Sequence, residues 1–138
     1  MIHIVWEHLV AVPAPNFSEE MFQRRLKWRR YQVALSMWHT NPAAVQAIWD
    51  LWDTGSEGVG IITYLPESLW LPVSQRLADE SIPHLRFLPS TPEEMARVVA
   101  LRPEITQIID GNPRHALRYG PKGMHISPRE CHLIGKVA

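Results

Sequence analysis

Short apolar runs and capped helices take turns along this chain, and that alternation leaves few architectures open. IHIVW at 2–6 and GVGIIT at 58–63 read as strands buried on both faces, and HLRFL at 84–88, ITQIID at 105–110 and KGMHIS at 122–127 read as three more strands. Asn41-Pro42 opens a helix, with Asn as cap and Pro at the first helical position; Val45, Ile48, Trp49 and Trp52 form its apolar stripe and Gly55 closes it. A second helix is expected from Pro72 to Glu80 with Val73 and Leu77 facing inward, because a proline breaks a helix begun earlier. Thr91 and Glu94 make a capping box, with Pro92 at the first helical position, Met95, Val98 and Val99 as the stripe and Pro103 as the stop. Asn112-Pro113 opens a last short helix that Gly120 closes. Strands alternating with helices predict an α/β fold: a three-layer α/β/α Rossmann-like domain on a parallel five-stranded sheet, with right-handed crossovers placing helices on both faces.

The length of 138 residues fits one domain, read as 1–127 with an insertion at 17–38 and a tail at 128–138. The insertion is polar and basic, and its weak helical period predicts a helical turn and a hairpin, with YQVALSM at 31–37 as a strand. Lys plus Arg total 14 and Asp plus Glu total 14, which excludes a whole-molecule field that gathers nucleic acid. No apolar run approaches the roughly 18–20 residues of a membrane span. MIHIVWEHLVAV has no basic start and carries Glu7 and His8, so it is not read as a signal peptide. Cys131 is the single cysteine and cannot form an internal disulfide, which predicts a reducing, cytoplasmic setting. In open parallel sheets ligands gather at the carboxyl ends of the strands. The positions to weigh are therefore Trp6, Glu7 and His8, then Thr63 and Tyr64, Leu88 and Pro89, Asp110 to Asn112, and Ser127.

The order of these strand ends, over roughly residues 2–127, resembles the haloacid dehalogenase-like phosphohydrolase superfamily. GIITYLPE matches the family's second motif, an apolar strand ending in Thr or Ser, at Thr63. IIDGNPRHALRYGPKGMHI matches its fourth motif, a strand ending in acid, at Asp110, with Gly111 where a second acid often stands. The insertion is similar to that of small single-domain members, several of which occur in actinobacteria and their phages. The family's first strand ends in Asp-x-Asp, a nucleophile and a general acid/base; here the stretch is Trp6-Glu7-His8. If register holds, Trp6 replaces the nucleophile and fills the phosphate pocket, and His8 replaces the acid/base. A slip by one residue would bring Glu7 in, but strand neighbours point to opposite faces. The family's third motif is a phosphate-neutralising Lys or Arg; no lysine lies between Lys27 and Lys122, which leaves Arg86 or Arg97. The resemblance thus implies the fold, and the residues imply a non-catalytic, pseudo-phosphatase domain without a cofactor, acting as a binding or regulatory module through Trp6, His8, Thr63, Asp110 and Asn112. The alternative is a divergent Mg²⁺-dependent phosphohydrolase acting on a small phosphate ester or a nucleic-acid end through Glu7, His8, Thr63 and Asp110.

Each candidate also has a local explanation. Asp110 and Asn112 can cap the helix they precede, Thr63 can satisfy a nearby backbone group, and His8 can sit satisfied at a strand end. Arg24, Arg25, Lys27, Arg29 and Arg30 crowd seven positions around Trp28, with Tyr31 following. That mixture suits an acidic protein partner, or phosphate clamping with base stacking over residues 24–31, or a solvated face balanced by Glu19 and Glu20. His125, Cys131 and His132 offer only one thiolate and lack the ligand set of a structural zinc site.

Overall fold

The computed structural model describes residues 1–54 and 58–136. Along the chain, β1 (Ile2–Val5) is followed by β2 (Ala11–Pro13), α1 (Glu19–Lys27), α2 (Tyr31–Leu35), β3 (Trp38–Thr40) and α3 (Pro42–Thr54). Next come β4 (Val59–Thr63), a 3-10 turn at Glu67–Leu69, α4 (Trp70–Asp79), β5 (Arg86–Pro89) and α5 (Pro92–Leu101). The chain then forms β6 (Gln107–Asp110), α6 (Pro113–Leu117), a 3-10 turn at Gly120–Lys122, β7 (Gly123–His125) and further 3-10 turns over Pro128–Lys136.

Five strands form one parallel sheet in the order β5-β4-β1-β6-β7, as the alternation predicts. The first strand is central: Ile4 pairs with Ile61 of β4 on one side and with Ile109 of β6 on the other. The period of two sorts the core into two layers. Ile4, Ile61 and Ile109 face a cluster with Ile48 and Leu51 of α3 and Val73 and Leu77 of α4. Val5, Ile62 and Ile108 face a smaller one with Met95 and Val99 of α5 and with Tyr119. Among the described residues, no helix is long and apolar enough to cross a membrane.

The expected boundaries shift for local reasons. Helix α4 starts at Trp70 and keeps Pro72 inside its first turn, where the N–H that proline lacks has no helical partner in any case. Ser18 Oγ accepts a bond from Met21 N and starts α1, whose acids lie in the first turn and whose bases lie in the last. Residues 31–35 are helix, not strand: Ala34 N bonds back four residues to Arg30 O at 2.9 Å, and the turn buries Ala34 and Leu35. The hairpin lies outside this segment, where β2 pairs antiparallel with β3 and brackets α1 and α2. Helix α6 stops at Leu117, and Gly120, at φ +56°, starts the next 3-10 turn instead of closing the helix. Gly55 lies outside the described residues.

Residues 128–136, expected within a tail, pack on the core. Their 3-10 turns pack on α3 and bury Cys131 and Ile134 completely. Asn41 Nδ2 holds them in place, donating to Pro128 O at 3.1 Å and to Leu9 O at 3.2 Å.

Candidate functional site

Three adjacent strands, β4, β1 and β6, end side by side, and their last residues build the site. Past Val5 the chain keeps one more sheet bond, from Trp6 N to Ile62 O at 2.8 Å. It then turns sharply: His8 adopts φ +68°, and Ala11 N returns to Trp6 O at 2.8 Å. This turn decides which side chain enters the site. Trp6 keeps the parity of Ile4 and joins the core, 1% exposed, with its ring 5.8 Å from that of Trp38 and the Arg76 guanidinium 5.4 Å above it. The indole is therefore neither in the pocket nor available to a ligand, contrary to the expectation for that position. Glu7 occupies the site instead.

Thr63 Oγ1 donates to Glu7 Oε2 at 2.7 Å and Tyr64 N donates to Oε1 at 3.0 Å. Thr63 Oγ1 in turn accepts from Leu65 N at 3.2 Å. The Tyr64 hydroxyl donates to Asp110 Oδ2 at 3.0 Å, and Asn112 N donates to Asp110 Oδ1 at 2.8 Å. His115 Nδ1 lies 3.8 Å from the same Asp110 oxygen, its ring edge-on to Tyr64 at 5.0 Å. Asn112 caps α6 by accepting from Arg114 N at 3.0 Å, so its side chain serves the helix. The structure thus joins Glu7, Thr63 and Asp110 in one network and leaves Trp6 out.

Burial dominates the electrostatics. It raises the Glu7 carboxyl to about 8, helped by the charge of Asp110 and opposed by the Thr63 bond. Burial also raises Asp110, against the Asn112 N–H and the nearby His115, His8 and His125. The same desolvation lowers His8. Two buried acids that share a site disfavour double ionisation.

Above this network lies a pocket of about 280 Å³. Glu7 and His8 line it together with Phe17, Glu19, Phe22, Gln23, Trp38, Tyr64, Leu65, Pro66, Pro92 and His115. Tyr64, one of the strand-end positions named from the sequence though without a role, joins the site, and His115 joins it with no sequence signal of its own. The aromatics from the insertion had none, because their convergence depends on how the β2–β3 pair folds over the sheet.

The third-motif substitutes fall elsewhere. Arg86, at the start of β5, donates from Nε to His3 Nε2 at 2.8 Å and faces Glu104, and Arg97 is exposed on α5. Gly111 is fixed by space: a Cβ there would lie 2.0 Å from the His8 carbonyl oxygen, so an aspartate could not replace it without moving the loop. Both oxygens of Glu7 are engaged by protein donors, and among the described residues no group of three or more His, Cys, Asp or Glu is placed to hold a metal ion. These residues do not fit the Mg²⁺ of the phosphohydrolase alternative.

The basic run sits apart. Arg24 pairs with Glu20 at 2.8 Å, Arg25 Nη1 reaches Val33 O at 3.5 Å, and Trp28 is 60% exposed. Arg29 takes a left-handed φ of +58° to turn α1 into α2, and Arg29 and Arg30 line a separate shallow hollow with Tyr31 and Pro72. Lys27 is exposed in the last turn of α1. The opposite end of α1, through Glu19 and Gln23, is the one that borders the strand-end pocket.

No protein-family model matches the chain, and no curated protein or solved structure matches it either.

Proposed function

We propose that this chain is a haloacid dehalogenase-like domain whose strand-end pocket binds a ligand without hydrolysing it, so that the molecule acts as a binding or regulatory module. The central position of β1, with Thr63 and Asp110 closing its two neighbours, and the antiparallel pair that leaves directly after β1 support the family reading. One observation carries the non-catalytic reading: the carboxyl nearest the attacking position has each of its oxygens held by a protein donor. Glu7 accepts from Thr63 and Tyr64 and, raised to about 8, is only about one-tenth ionised at pH 7. An attacking carboxylate must be ionised and free to approach phosphorus. A phosphate dianion entering this pocket would also meet Glu7 and Glu19 with no lysine or arginine among the described lining residues.

The test is an aryl phosphate assay with Mg²⁺ or Mn²⁺, in which no turnover above a buffer control is expected. Turnover that disappears in Glu7→Gln or Asp110→Ala would establish the phosphohydrolase alternative.

A second reading attaches to the other surface. Trp28 stands exposed among Arg24, Arg25, Lys27, Arg29 and Arg30, and an indole between guanidinium groups suits base stacking with phosphate contacts. If nucleic acid binds there, affinity falls steeply as salt rises and falls again in Trp28→Ala. An acidic protein partner would share the salt dependence and tolerate the loss of the indole.

A further inference from the structure

We infer that the strand-end pocket takes a small organic cation: one ammonium group on an apolar body about the size of a single ring. The inference rests on the reading of this pocket as a binding site and adds the chemical class of the ligand.

Size comes first. An apolar cavity of about 150 Å³ accommodates benzene, so 280 Å³ leaves room for a ring and a short arm. The walls suit an apolar body. Phe17 and Phe22 pack on each other at 5.6 Å, both contact Trp38, and Tyr64 closes the opposite side. Aromatic faces attract a cation as well as apolar carbon, and more strongly when water is excluded. Charge then sets the sign. The lining carboxyls are Glu7 at the floor and Glu19 at the rim, with Asp110 directly behind Tyr64, and no lysine or arginine among the described residues lines the pocket. The other titratable groups lining the pocket are His8 from the loop, Tyr64, and His115 from α6; the phenol of Tyr119 also senses Glu7, and burial and then Glu7 disfavour its ionisation. An ammonium group over Glu7 would offset the repulsion between the two buried acids and allow Glu7 to release its proton. An anion would increase that repulsion.

The experiment follows ligand binding by calorimetry, using 2-phenylethylamine, the neutral 2-phenylethanol, the anionic 3-phenylpropionate and phenyl phosphate. The amine is expected to bind at least about tenfold more tightly than the alcohol, with the anions no better than the alcohol. Its affinity should rise about tenfold from about pH 6.5 to about pH 8, with a proton released, because binding ionises a group of pKa about 8. Glu7→Gln should abolish both the preference for the amine over the alcohol and the pH dependence of amine binding. Glu19→Gln, on an exposed helix end, should lower amine affinity severalfold and serves if the first variant does not fold.

Anions that bind as tightly as the amine, or amine affinity indifferent to both substitutions, overturn the inference and leave the binding-site reading standing. Hydrolysis of phenyl phosphate overturns that reading. Failure of all four compounds to bind at millimolar concentration overturns both.

Discussion

At the scale of single residues, the site depends on two positions that behave in opposite ways. Gly111 is where the loops after β1 and β6 touch, and any side chain there would strike the His8 carbonyl. Gly111→Ala is therefore expected to cost about 1–3 kcal/mol, the range of overpacking in a close-packed site. Gly120→Ala, which meets nothing within 4 Å but holds φ +56°, should cost about 1 kcal/mol. Denaturant unfolding of the two variants checks the ranking. Glu7 has the reverse character, because its presence strains the fold in alkali. Its carboxyl titrates near 8 when folded and near 4.5 when unfolded, so its stabilising effect is complete below about pH 4.5 and disappears as pH rises through about 8. Glu7→Gln keeps an acceptor for Tyr64 N and supplies a donor for Thr63. Its melting temperature is expected to match the wild type near pH 4 and to exceed it by a few degrees near pH 9. Buried His3, held down at about 4 by burial and by Arg86, gives both proteins a loss of stability as pH falls from about 6.5 toward 4. The difference between the two melting curves isolates Glu7.

Elements are placed by contacts that the chain does not advertise. Arg76 of α4 donates to Leu35 O at 2.8 Å, to Trp38 O at 2.7 Å and to Thr40 Oγ1 at 2.9 Å, pairs with Glu80 at 2.6 Å, and covers the Trp6 ring. Thr40 itself donates to Glu80. One guanidinium thus ties the inserted helix pair and β3 to the main layer. Arg76→Lys cannot reproduce that planar fork. It is expected to cost about 2–3 kcal/mol by leaving buried carbonyls without donors, and to weaken ligand binding in the pocket, since Trp38 would lose its anchor. Thermal melts and the amine titration measure the two effects. The insertion resisted reading for the same reason. Its order comes from Arg76 and from the aromatic packing around Trp38, not from its own periodicity. The register of the resemblance puts Trp6 in the pocket, whereas the strand parity it shares with Ile4 carries its ring into the core before His8 turns the backbone. By contrast, the caps at Thr91 and Asn112 were legible, because each requires only neighbours within three residues.

Across the whole molecule, the five-stranded parallel sheet was legible because each buried strand declares itself as a short apolar run. The contribution of residues 128–136 was not, because Cys131, Ile134 and the clamp from Asn41 become visible only once α3 is in place. Ile134→Ala is expected to cost about 2–4 kcal/mol, as for any fully buried aliphatic truncation, with no change in the pocket's preference for cations. Chemical denaturation and the amine titration, run on the same sample, separate the two.

The central place of β1 also governs how the protein is made. β1 is synthesised before either of its partners, yet one edge of that strand finds its partner only when Gln107–Asp110 has been made, and α3 is covered only by the still later turns of Pro128–Lys136. Until then an aliphatic edge strand is open to other nascent chains, so the cell's heaviest demand for chaperone protection of this protein falls during translation, not afterwards.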